Sequence, residues 1–312
     1  MLKKYISRAD GTLVETENIE TGSWISIVNP EEKEIAQILT LLNIEHEFIP
    51  DALDEAETPR IERKDHYIWI IIDIPVTVSK QRNALLYDTI PLTIIVTENY
   101  FVTITLREND IIQDFIQKKV QGFYTFKKTR FVLQILYVIA TYYLKYLRQI
   151  NQKTNKIEEE LHQSMRNEEL YSLLSLSKSL VYFTTSLKAN EMVMEKMLRN
   201  NYLKMYEDDK EILEDAIIEN KQAIEMAHIY SNVLSGMMDA FASVISNNVN
   251  IVMKFLTSIT IILAVPTMIA SFFGMNVVLP LKEYPYAFTG IILFCILLSF
   301  IIGLIFTRKR YL

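Results

Sequence analysis

Two stretches near the C-terminal end constrain this chain more than anything else in it. Residues 255–273 and 286–307 are nineteen and twenty-two residues long, and neither run contains a charged side chain. At ~1.5 Å of rise per helical residue, each is long enough to cross a hydrocarbon core of ~30 Å. A third oily run, 131–144, has fourteen residues, includes Gln134 and Thr141, and leads into Lys145 and Arg148. It reads as a buried helix of a water-soluble region. Composition agrees with a membrane part: half of the 312 residues are hydrophobic and only 22% are charged. That is oily for a soluble protein of this size. The opening MLKKYISRADGTLVE has a basic start and no apolar stretch, so no cleaved signal peptide is expected.

Charge is divided unevenly. Beyond residue 250 the basic residues Lys254, Lys282, Arg308, Lys309 and Arg310 face one acid, Glu283, which gives the last 62 residues +4 and leaves the first 250 with −10. No basic stripe is visible that would neutralise nucleic-acid phosphates, and an acidic body favours cations as partners. Arg308, Lys309 and Arg310 follow the second span directly, whereas the loop between the spans offers only Lys282. The positive-inside rule therefore puts both termini and the body in the cytoplasm, in a multi-pass protein of the cell membrane. The single cysteine, Cys295, excludes an internal disulfide, and His46, His66, His162 and His228 lack zinc-site spacing. With no P-loop and no nucleophile elbow either, nothing points to an enzyme.

The expected fold is α+β. Residues 1–125 form an α/β lobe, with strands expected over 25–28, 67–74, 89–97 and 101–106, all rich in Ile, Val, Thr and aromatics. Asn29 followed by Pro30 and an acidic stretch reads as an N-cap, a proline at the first helical position, and a helix. From residue 128 to Pro266 there is no other proline and Gly236 is the one glycine, so 126–250 is read as long helices broken near Asn167 and at Asn200 and Asn201. Steps of four and three from Leu213 pass through Ile217, Asn220, Ile224, Ala227, Ser231, Leu234, Met238, Phe241 and Ile245, a mostly apolar heptad seam. No breaker separates this stalk from the first span. One helix continuous into the two-span region 251–312 is expected, on the order of 100 Å long.

Inside the first span, Thr260, Ala264, Thr267, Ser271 and Gly274 place small or hydroxylated residues on one helical face. Such spacing serves close helix packing. It also serves a pore, if several copies turn the stripe toward a common axis, since two spans cannot enclose a channel alone.

At the end of that stripe stand Gly274, Met275 and Asn276. Together with Ser246-Asn-Asn-Val-Asn250, Val252-Met-Lys-Phe-Leu-Thr257, the second span and the basic end, they make the chain resemble the CorA family of magnesium transporters. The resemblance implies a homopentamer in membrane lipid whose first spans line the pore. Gly274, Met275 and Asn276 would form the outer selectivity mouth, and Asn250, Met253, Leu256, Thr260, Ala264, Thr267 and Ser271 would face the path. Mg²⁺ dehydrates reluctantly, so a ring of Asn276 carbonyls can recognise its water shell without stripping it. Met253 and Leu256 are apolar rings able to gate by dewetting.

The resemblance further implies that intracellular Mg²⁺ binds between neighbouring cytoplasmic domains and holds the pore shut, with Asp215 at the family's helical carboxylate. Asp65, Asp73 and Asp88 are the candidates for its partner in the lobe, Asp88 being the one assigned. Mg²⁺ is then both cargo and regulator, Co²⁺ and Ni²⁺ are further ions of similar hydrated size, and no organic cofactor is implied. Two departures from the family pattern stand out: the proline is shifted by one in Ala264-Val265-Pro266-Thr267, and the outer loop carries one acid and one base. A proton-coupled Zn²⁺ transporter and a membrane-anchored scaffold without transport are the alternatives.

Overall fold

The strands form one seven-stranded sheet in the order β2-β1-β3-β7-β6-β5-β4. In this computed structural model, which describes residues 1–45, 48–64, 66–79, 85–163, 167–276 and 286–309, the chain divides into two units, Met1–Ser235 and Gly236–Leu312. The sheet belongs to the first. Its strands are β1 (Leu2–Ser7), β2 (Leu13–Glu15), β3 (Trp24–Val28), β4 (Arg60–Arg63), β5 (Tyr67–Ser79), β6 (Leu85–Thr97) and β7 (Phe101–Thr105). Only β3 and β7 run parallel.

Alternation along the strands covers both faces. Ile25, Ile27, Trp69, Ile71, Ile95, Val102 and Ile104 join Ile35, Ile38 and Leu39 of α1 (Glu32–Leu41) and Ala52 of α2 (Ile49–Leu53) in one core. On the other face Trp24 meets Phe131 of α4 (Lys128–Gln163) edge-on at 5.1 Å and donates through Nε1 to Thr103 Oγ1 at 2.9 Å. Phe115 of α3 (Asp110–Ile116) stands 5.2 Å from the Phe131 ring. Most of the oily run 131–144 is thus buried within α4, with Tyr137 and Thr141 exposed.

The β5–β6 hairpin outruns its neighbours. Both strands have 13 residues, but β4 pairs with β5 only at residues 68–71 and β7 with β6 only at 92–96. Beyond those limits helix α5 (Asn167–Asn200) supplies what a strand would have. The Asp73 N–H donates to Asn190 Oδ1 at 2.9 Å, and Asn190 Nδ2 donates back to the Asp73 carbonyl at 2.8 Å. The Tyr87 N–H donates to Ser179 Oγ at 3.1 Å, and that hydroxyl donates to the Tyr87 carbonyl at 2.6 Å. Buried backbone groups left open would each cost on the order of 1–3 kcal/mol.

The start of α1 differs from expectation. Asn29 takes a left-handed φ of 49° and its N–H donates to Thr105 at the end of β7. The N-cap is Glu31, and the Glu34 carboxylate accepts from the Glu31 N–H at 3.0 Å in a reciprocal capping box. Two glutamates at the spacing of a capping box outcompete the asparagine, whose backbone is spent on the turn out of the sheet.

Helix α6 (Glu207–Phe273) runs 67 residues without interruption. Within the first unit its seam residues Leu213, Ile217, Ile224, Ala227 and Leu234 are buried, as is the neighbouring Ala223. Asn220, buried among them, donates from Nδ2 to the Leu187 carbonyl of α5 at 2.9 Å, which satisfies the buried polar member of the seam. Asp209 at the helix start is buried and accepts from Arg130 Nε of α4 at 2.9 Å.

In the second unit the membrane-length part of α6 packs against α7 (Ala287–Arg308). Pro266 has no N–H, so the Ile262 carbonyl loses its helical donor. Ser299 of α7 approaches that carbonyl at 3.5 Å, and Gly303 lies where an added Cβ would stand 4.0 Å from Ile262 Cδ1. The half-buried residues of α7, Ala287, Ile291, Cys295, Leu298, Ser299, Ile302, Gly303 and Phe306, recur at helical spacing and mark one face of it.

Candidate functional site

Which faces of α6 are used follows from its own periodicity. Ser258, Ile262, Val265 and Ile269 are the covered or half-covered residues on the side toward α7. Leu256, Thr260, Ala264, Thr267 and Ser271 are all exposed, and at 3.6 residues per turn they centre roughly 180° from that side. These five residues, with Ile259, Leu263, Met268 and Phe272, line one open groove of about 780 Å³ along the helix. Asn250 and Met253 are exposed farther back on the helix, and Met253 falls on the same face by the same count. The small residues therefore do not serve packing between α6 and α7, which uses the opposite side.

The hydroxyls on this face have a defined sense. Thr260 Oγ1 donates to the Leu256 carbonyl and Thr267 Oγ1 to the Leu263 carbonyl, each at 2.8 Å. With their protons turned back to the helix, the oxygens present lone pairs outward as acceptors. An outward acceptor suits the water shell of a cation. Among the described residues no charged side chain lines the groove.

At the end of α6 the Gly274 N–H reaches the carbonyls of Ala270 and Ser271 at 3.0 and 3.2 Å. Gly274 has no left-handed φ, and among the described residues a Cβ added there would meet those same two carbonyl oxygens, at an ordinary 3.5 Å. No described residue of the chain demands glycine at this position. Met275 and Asn276 are exposed. The outer loop, with Lys282 and Glu283, and the terminal Arg310 lie outside the described residues.

The acidic candidates in the first unit separate on their surroundings. Asp73 accepts from Ser186 Oγ at 2.5 Å, and Ser186 in turn lies 3.0 Å from Thr89 Oγ1. Burial pushes this carboxyl up to about 6, and the Ser186 hydrogen bond opposes the shift. Its side chain is engaged inside the fold. Asp88 is half-buried and accepts from the adjacent Thr89 N–H at 2.9 Å, while Asp215 is exposed on α6. Neither forms an ion pair with a described residue, and no bond joins the two within one chain. Asp65 lies outside the described residues. Among the described residues no three His, Cys, Asp or Glu side chains gather into a metal cluster.

Sequence reasoning missed the Asp209–Arg130 pair, which turns part of the acidic run at 207–211 into an anchor between α6 and α4. A lone arginine 79 residues away gives no linear signal of it.

With this geometry established, comparison with known proteins decides the family. A sequence model described as CorA-like Mg²⁺ transporter protein matches residues 20–310. The chain belongs to the CorA-like family. It is 29% identical over 319 residues to the cobalt/magnesium transport protein CorA of Methanocaldococcus jannaschii, covering 97% of each chain. To the protein of the same name from Thermotoga maritima it is 21% identical, over 94% of this chain and 84% of that one. The solved complete structure of the CorA magnesium transporter from M. jannaschii superimposes with a TM-score of 0.83 at 26% identity, covering 100% of this chain and 99% of that one. As in that CorA structure, an α/β domain is followed by long helices and two apolar helices at the C-terminal end.

Proposed function

We propose that this chain is the subunit of a homopentameric channel that admits Mg²⁺ to the cytoplasm down the membrane potential, and that also passes Co²⁺. The observation that carries the reading is the stripe Leu256, Thr260, Ala264, Thr267 and Ser271, exposed on the side of α6 away from α7 and leading to Gly274, Met275 and Asn276. One hairpin cannot surround an ion, and five copies bring five such faces to one axis with α7 outside. Names of the relatives, cobalt/magnesium transport proteins, support the choice of ions.

In this reading Asn276 holds the hydrated ion at the mouth, the threonine oxygens accept hydrogen bonds from its water shell, and Met253 and Leu256 close the path by dewetting. Glycine at 274, which no described residue of the chain demands, keeps the mouth open where the copies converge. The body and both termini face the cytoplasm. Asp215 of one subunit and Asp88 of its neighbour bind intracellular Mg²⁺, which favours the closed pentamer because that state alone brings the carboxylates together. The absence of acids and histidines from the stripe gives protons no relay, which weighs against coupling to a proton gradient.

The test is Mg²⁺ influx into proteoliposomes with an inside-negative potential and a trapped Mg²⁺-sensitive dye. Wild-type protein should conduct, and Asn276→Ala should lose at least tenfold, the size of one 1.4 kcal/mol binding contribution. Absence of influx in the wild type sinks the channel; equal influx in the mutant moves the filter elsewhere.

A further inference from the structure

In the first unit the fold gathers cations that the linear sequence scatters. A cavity of about 640 Å³ is bordered by Lys127, Lys128, Arg130 and Lys204. A second, of about 360 Å³, is bordered by Arg63, Lys64 and again Lys204. The two share Val96, Thr129 and Lys204 and so form one groove. The only described carboxylates on it are Glu98, Asp208 and Asp209. Two of these are already committed, because Asp209 and Asp208 accept from Arg130 at 2.9 and 3.4 Å.

The other cations are left over. Lys128 Nζ donates to the Glu98 backbone carbonyl. Lys127 lies 5.0 Å over the Tyr124 ring and Lys64 lies 6.0 Å over Phe48. Among the described residues Arg63, Lys64, Lys127 and Lys204 make no ion pair, and all four are exposed. Carboxylates are abundant in this acidic body, so a groove that collects unpaired cations runs against the composition. Such clustering costs self-repulsion, which an anion relieves. Open clefts of a few hundred Å³ are the size of a small-ligand site.

Two further features specify the anion. The backbone amides of the first turn of α4, at Lys128, Thr129 and Arg130, have no helical acceptor and sit on the groove, adding donors for phosphate oxygens. Phe126 and Tyr206 border the larger cavity with 47% and 72% of their surface exposed. Exposed rings beside cations are the pairing that stacks a base while its phosphates are neutralised. We propose that this groove binds a nucleoside polyphosphate, with the phosphates among Lys127, Lys204, Arg63 and Lys64 and the base against Phe126 and Tyr206. The site is separate from the ion path and does not depend on it.

The test is calorimetric titration of the purified full-length protein with ATP, tripolyphosphate and adenosine, with EDTA present so that carboxylate-bound metal plays no part. ATP should bind, tripolyphosphate should bind more weakly, and adenosine should bind weakest. The double variant Lys127→Glu with Lys204→Glu should weaken ATP by about tenfold or more, because charge-assisted phosphate contacts become repulsive. Both residues are exposed, and an unchanged thermal transition identifies a folded variant; the milder Lys204→Gln gives a smaller loss in the same direction. Phe126→Ala should narrow the gap between ATP and tripolyphosphate. Lys156→Glu, on the exposed surface of α4, should change nothing. No ATP binding, ATP binding unmoved by the double variant, or tripolyphosphate binding as tightly as ATP would each overturn the proposal.

Discussion

Asp73 is a carboxylic acid held by one hydroxyl, that of Ser186, on a strand whose backbone at the same residue is engaged by Asn190. Tyr143 of α4 adds a hydroxyl to the Asp73 carbonyl at 3.2 Å. Burial raises the folded pKa to about 6, above the ~3.9 of an unfolded aspartate. Between those values the folded chain keeps a proton that the unfolded chain has released. Stability from this residue is therefore full below pH ~4, falls as pH rises toward 6, and stays low above it. Asp73→Asn, which mimics the protonated acid, should match wild type in thermal unfolding at pH 4. At pH 8 it should be more stable by roughly 3 kcal/mol, the linkage equivalent of the shift. A variant whose advantage over wild type is no larger at pH 8 than at pH 4 contradicts this account.

Between elements, the membrane hairpin is joined where Pro266 frees the Ile262 carbonyl and Gly303 lets α7 come close. Gly303→Leu should drive a side chain into Ile262 and destabilise the detergent-solubilised protein by about 1–3 kcal/mol. Gly290→Ala, where no described residue lies within 4 Å of the new Cβ, should leave the thermal transition unchanged. A drop for Gly290 equal to that for Gly303 would contradict the packing described. The spans themselves were readable because a charge-free run of that length has few other solutions. β4, with the sequence RIER, was not, because its pairing comes from β5 and not from its own pattern. Residues 75–79 of β5 and 85–88 of β6 were missed because Pro75 and Asp88 interrupt the apolar rhythm, and helix α5 supplies the compensation there. Likewise the stripe on α6 could be read from spacing, but its position opposite α7 could not, since a span does not record where its partner packs. The basic groove draws on residues 63–64, 127–130 and 204, too far apart to appear as a stripe.

For the whole molecule, the proposed regulation makes Mg²⁺ an inhibitor of its own entry. Asp88→Asn with Asp215→Asn removes both carboxylates from the proposed intersubunit site without touching the groove on α6. Influx that falls in wild-type proteoliposomes as internal Mg²⁺ accumulates should persist in this variant, and inhibition equal to wild type would exclude these residues as the sensor. The helix that completes the β5–β6 hairpin bears on a different matter, the making of the protein. Asn190 and Ser179 lie 117 and 92 residues beyond the backbone groups they satisfy. At ordinary translation rates that is a delay on the order of ten seconds. Until α5 leaves the ribosome, the nascent hairpin offers two raw β-edges to any neighbouring strand, so chaperone dependence and aggregation during synthesis should concentrate on this one ribbon.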